Sequence, residues 1–97
     1  MAADLDRLTQ DYRIAFLRYL PRHDEAALTA GYAIGREAIV GPVSLLDLVL
    51  VHHRVLREVL EQTNKGERSE LVDAAGTFFS EVVAAYEMAQ RAHLDRD

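Results

Sequence analysis

Apolar residues recur along the chain with the 3.6-residue period of amphipathic helices, and no stretch alternates apolar and polar as a half-buried strand would. The first periodic segment, residues 4–20, carries Leu5, Leu8, Tyr12, Phe16 and Tyr19 on one stripe. Pro21 closes it, because proline disfavours helix at the residue before it. Asp24 then stands where an N-cap is wanted. Residues 25–40 form the second segment, with Ala27, Leu28, Gly31, Tyr32, Gly35, Ala38 and Ile39 on one face. Two glycines inside a helix cost about 1 kcal/mol each against alanine. Their place on the core face predicts close packing of a neighbouring helix, which offsets that cost; the alternative is an intrinsically weak helix. Gly41 and Pro42 are a stop, with glycine suited to a left-handed C′ position.

Ser44 opens the third segment, residues 45–63, and "SLLD" has the form of a capping box with Asp47 as its acid. Its apolar face holds Leu45, Leu48, Val49, Val55, Leu56 and Val59 around His52, with His53 at the edge. "TNKGER" is the one polar loop, and Ser69 is positioned to cap the last segment, residues 70–95. That segment's stripe is Leu71, Ala74, Ala75, Phe78, Phe79, Val82, Ala85, Tyr86 and Ala89. Four helices joined by short connections predict an all-α, antiparallel four-helix bundle in a single domain spanning residues 1–97. The last period runs into "AHLDRD" without a glycine or proline stop, which suggests the N-terminal part of a longer protein.

Composition narrows the partners. Eleven basic and sixteen acidic residues give a net charge of −5. A nucleic-acid surface needs the opposite sign, and so does docking on an anionic membrane. No apolar run approaches the ~18 residues of a membrane span, and the N-terminus lacks the pattern of a secretory signal. There is no cysteine, so disulfides, thiolate metal sites and thiol nucleophiles are excluded. A cytoplasmic location is the expectation.

The four histidines are the candidate chemistry. His52 and His53 are adjacent, so on a helix they point about 100° apart and do not chelate one ion together. Neither a His-x-x-x-His nor a His-Glu-x-x-His pattern occurs. His52 reads as a hydrogen-bonded core residue; His23 lies in the first connection and His93 on the fourth helix's face, without ligand spacing to the others. Asp47, Glu58 and Glu61 with Arg54 and Arg57 read as a solvated face of the third helix, and Glu87 with Arg91 as an i, i+4 pair. No catalytic motif, cofactor motif or metal site emerges. What remains is apolar surface: Ile14 and Leu17 on the first helix, Leu50 and Val51 on the third, and Val83, Ala84 and Met88 on the fourth fall off the core stripes. A small bundle with extra apolar faces gains by sharing a larger core, which predicts a homodimer through Ile14, Leu17, Leu50 and Val51.

The stretches "YRIAFLRYL", "ALTAGYAIGREAI", "LVHHRVLREVL" and "FFSEVVAAYEMAQRAH" together resemble the N-terminal domain of RsbU-type phosphatases. The resemblance rests on a tyrosine-bearing first helix, on Arg36 and Ile39 closing the second, and on His52, Val55, Leu56 and Glu58 in the third. Phe78, Glu81, Tyr86, Met88 and Ala89 carry it in the fourth. It covers nearly the whole chain, and order and spacing carry it more than any one motif.

The resemblance implies a dimeric bundle similar to the C-terminal domain of KaiA, preceding a PPM-type serine/threonine phosphatase domain. It implies a regulatory, non-catalytic domain that receives an RsbT-like switch kinase and so activates the phosphatase in general stress and sigma-factor signalling. The matching partner surface is Glu25 and Thr29 on the second helix and Ser80, Val83 and Ala84 on the fourth. Thr29, Ser80 and Ala84 are smaller than the groups the family pattern carries there. Two other roles fit a cofactor-free helical bundle: a free-standing sensor with a small ligand, and a plain oligomerisation module.

Overall fold

The computed structural model describes residues 2–41 and 43–95. Pro42 and the chain's last two residues lie outside the described residues, as does the side chain of His93. Four helices follow one another: α1 (Ala2–Tyr19), α2 (Glu25–Val40), α3 (Leu45–Glu61) and α4 (Arg68–Asp95). There is no strand among the described residues, so the all-α class predicted from the periodicity is the class observed. No helix there is long and apolar enough to cross a membrane.

The polar signals at the helix starts act as their chemistry dictates. The Asp24 carboxylate accepts the Ala27 N–H at 3.0 Å and caps α2. Ser44 and Asp47 close the capping box of α3 in both directions, at 3.0 and 3.1 Å. Three other ends differ from expectation. Gly41 is extended (φ −97°, ψ 176°), not left-handed. The chain must cross the end of the bundle there, since α3 packs on α1 and α4 and hardly on α2. The left-handed position falls instead to His23 (φ 50°), whose N–H bonds the Tyr19 carbonyl at 2.7 Å while its ring stacks on Tyr19. Ser69 is not a cap: a 3-10 turn, Lys65–Glu67, feeds directly into α4, which begins one residue before it. At the other end of the loop, α3 closes at Glu61 and the Thr63 hydroxyl donates to the Val59 carbonyl.

Consecutive helices reverse direction, but the neighbours in space include two parallel pairs. α2 lies most extensively on α4, and the two run in the same sense, Gly31 against Phe78 and Val82, Gly35 against Val82, Ala85 and Tyr86. Tyr12 of α1 likewise meets His52 of α3, while Leu20 and Val59 further along line one groove. Phe78 is the centre of the core: Tyr12 meets it edge-on at 5.3 Å, and Phe16 and Tyr19 lie at 5.6 Å. Such ring pairs add about 0.5–1.5 kcal/mol each beyond the area they bury.

The core departs from the predicted stripes by a rotation of α3. Its buried residues are Leu48, Val51 and Val55, so Val51 is core and not a dimer contact, while Leu45 and Val49 are exposed. His52 sits at the rim, half-buried, instead of mid-face. An imidazole keeps one edge hydrated more cheaply there than in the apolar centre, and turning His52 outward turns Val51 in. Ile34 and Ala15, outside the predicted stripes, are also core.

The two core glycines separate from Gly76, exposed within α4, in what they tolerate. A Cβ on Gly35 would run into the backbone carbonyl of Val82, which has nowhere to go, whereas on Gly31 it would meet the Phe78 ring edge at 3.0 Å. Nothing lies within 4 Å of a Cβ on Gly76. Gly35→Ala is therefore expected to destabilise by about 2 kcal/mol or more, and Gly31→Ala by less. Gly76→Ala should stabilise by about 0.5–1 kcal/mol. Urea unfolding of the three variants checks the order.

Candidate functional site

The α2–α4 pair sets the geometry of the surface that the sequence singles out. Because the two helices run side by side in the same sense, Glu25 and Thr29 of α2 and Ser80 and Ala84 of α4 are exposed on one helix pair. The Thr29 hydroxyl donates to the Glu25 carbonyl at 3.0 Å. Its polar group is thus occupied within the helix, and the side chain adds little polarity to the surface. Val83 is only half-buried, between core Val82 and exposed Ala84. The surface is low: small side chains stand where large ones would project.

Toward the end of the same pair a groove of about 480 Å³ opens between Tyr32, Arg36, Ile39 and Val40 on α2 and Met88, Ala89 and Ala92 on α4. The Arg36 guanidinium lies 5.9 Å from the centre of the Tyr32 ring. Val40 and Met88 are 82% and 60% exposed at its rim. The residues predicted for a dimer contact are not brought together. Ile14 and Leu17 are exposed on α1, Leu50 is exposed on α3, and Val51 is in the core.

The polar residues form a second feature, a seam between α1 and α3. The Tyr12 hydroxyl lies 2.9 Å from Nδ1 of His52, and the His52 ring stacks on Phe79 of α4 at 4.1 Å, within 12° of parallel. Burial pushes the Tyr12 phenol far above its ordinary range, so it stays protonated. Burial, and secondarily the charge of His53, holds His52 below its ordinary 6.5. A neutral ring that accepts the tyrosine proton at Nδ1 carries its own on Nε2. His52 thereby ties three helices together. Beside it, Arg13 grips Glu58 through Nε and Nη2 at 2.8–3.1 Å, and Gln10 holds the other arm of Arg13. Glu58 is thus a half-buried partner, not a member of a freely solvated face. This pair spans 45 positions and leaves no local signal. Among the described residues no group of three or more His, Asp or Glu is placed to hold a metal ion.

The family model of the phosphoserine phosphatase RsbU N-terminal domain matches residues 10–89. No curated protein matches the chain, and no solved structure does.

The seam makes stability depend on pH with a definite sign. A histidine whose folded pKa is depressed binds its proton more weakly folded than unfolded. The contribution of His52 is therefore full above its ordinary 6.5 and is lost as pH falls below it through the depressed value. Urea midpoints should drop between about pH 7 and about pH 5, and the drop should be shallower in His52→Gln. An identical drop in both proteins would show that His52 does not carry it.

Proposed function

The chain belongs to the family of RsbU N-terminal domains, and from that premise we propose how its surfaces serve regulation. RsbU N-terminal domains are regulatory parts of a phosphatase and not its catalytic part. On this reading the domain forms a homodimer and receives an RsbT-like switch kinase on the α2–α4 pair, at Glu25, Thr29, Ser80, Val83 and Ala84. The bound kinase activates an attached PPM-type serine/threonine phosphatase, which acts in sigma-factor partner switching.

The observation that supports this reading most is the interlock of α2 and α4. A Gly35 that admits the Val82 backbone makes the two helices one unit. A partner that binds one arrangement of that unit better than another shifts the population toward it, and the shift can equal the difference in affinity but not exceed it. α4 is the natural carrier, since its 28 residues make it the longest element of the chain. Dimerisation falls to α1, where Ile14 and Leu17 are exposed. The groove between α2 and α4 is open along its side, which suits a protein segment better than a small ligand that would have to be enclosed. The domain needs no cofactor for this role.

Ala84→Asp and Thr29→Asp place a charge at two exposed, uncharged positions and should leave the fold intact. Calorimetry against the cognate switch kinase is expected to show binding weakened by about tenfold or more in each, since an unpaired charge is costly to desolvate. Unchanged affinity in both would move the partner to another surface, and no binding by the unaltered chain would remove the switch-kinase partner altogether.

A further inference from the structure

α2 borders a second groove, of about 250 Å³, which it forms with α1. The apolar lining there is mostly small: Ala15 of α1 with Ala30, Ala33 and Ile34 of α2. Ile14 belongs to the same groove and is 46% exposed. Small side chains let another helix come close, because helix separation is set by the residues at the contact.

The charges stand at the two ends. α1 and α2 run in opposite senses, so Asp11 and Glu37 come together at one end and Arg18 stands at the other. Arg7 lies one turn beyond Asp11, outside the alanine-lined stretch. Among the described residues none of these four groups makes an ion pair within 4 Å. Asp11 and Arg18 are seven positions apart, so they lie on one stripe of α1 with Ile14 between them. About 10 Å of helix separates them, too far for the two to meet each other.

That spacing is self-complementary. A second α1 laid antiparallel to the first, about a twofold axis beside Ile14, brings Asp11 of each copy opposite Arg18 of the other. We propose that the groove between α1 and α2 seats α1 of a second copy. Ile14 of each copy rests on the alanines of the other, and an Asp11–Arg18 pair closes each end, with Glu37 as a second carboxylate there. The inference rests on the homodimer of the reading above and supplies its face and register. A strongly acidic or strongly basic partner gains less here. The groove ends hold two carboxylates and, with Arg7, two guanidinium groups, and a twofold copy meets both signs at once.

Sedimentation equilibrium of the intact chain tests the arrangement. The unaltered chain is expected to be a dimer. Asp11→Arg and Arg18→Asp, both at exposed positions, each set like charges against one another twice across the twofold. Each should raise the dimer dissociation constant about tenfold or more. The double variant, Asp11→Arg with Arg18→Asp, keeps the net charge at −5 and restores opposite signs. It is expected to dimerise about tenfold more tightly than either single variant. Leu50→Asp, on α3, should leave the dimer unchanged. A dimer indifferent to both single reversals, or a double variant no tighter than they are, overturns the inference and leaves the homodimer standing. So does a dimer lost in Leu50→Asp. A monomer at every concentration of the unaltered chain removes the homodimer itself, and this face with it.

Discussion

The contact between Gly35 and the Val82 carbonyl is the constraint on which the rest of the structure depends. A backbone-to-backbone approach of two helices is possible only where a side chain is missing, and α2 provides that gap on its core face at Gly31 and Gly35. The gap makes α2 the least self-sufficient helix of the chain, since two interior glycines weaken it by about 2 kcal/mol in all. Packing on α4 must supply what propensity does not. α2 is therefore a helix by virtue of α4, and its position is dictated by α4.

That dependence has a topological consequence. With α2 committed to α4, the third helix has no room beside the second, and the Gly41–Ser44 connection carries the chain extended across the end of the bundle. α3 then closes the far side against α1 and α4. There it is fixed by directional polar bonds as well as apolar burial: Tyr12 with His52, and Arg13 with Glu58. The two halves of the molecule are thus held differently, one by close backbone packing and one by a half-buried polar seam. The outer surface of the first half carries the family's regulatory reading, and the outer surface of the second exposes Leu46 and Leu50.

Much of this was legible in the amino-acid order. The α2 and α3 caps are local chemistry, a side-chain oxygen three residues from a free N–H, and Asp24 and Ser44 behave as read. The glycine pair announced close packing because both residues fall on one face. The rotation of α3 was not legible. Leu45, Leu48, Val49, Val51 and Val55 are all apolar, so periodicity alone fits two arcs a fraction of a turn apart. The choice was made by His52, whose place depends on a tyrosine 40 positions away. The left-handed residue after α1 was equally hidden, since His23 lacks the signature of a turn and takes that conformation against Tyr19. Of the surface positions, Glu25, Thr29, Ser80 and Ala84 came from resemblance and lie exposed on one helix pair, whereas Val51 shows how little an off-stripe apolar residue says about a surface.

Residue-resolved amide hydrogen exchange of the unaltered chain tests the central claim most directly. If α4 holds α2 in place, the amides from Ile34 to Ala38 exchange as slowly as those from Val82 to Tyr86, both through global unfolding. If the amides of α2 exchange about a hundredfold faster than those of α4, α2 opens on its own, the glycine notch is not a lock, and the two helices are not one unit.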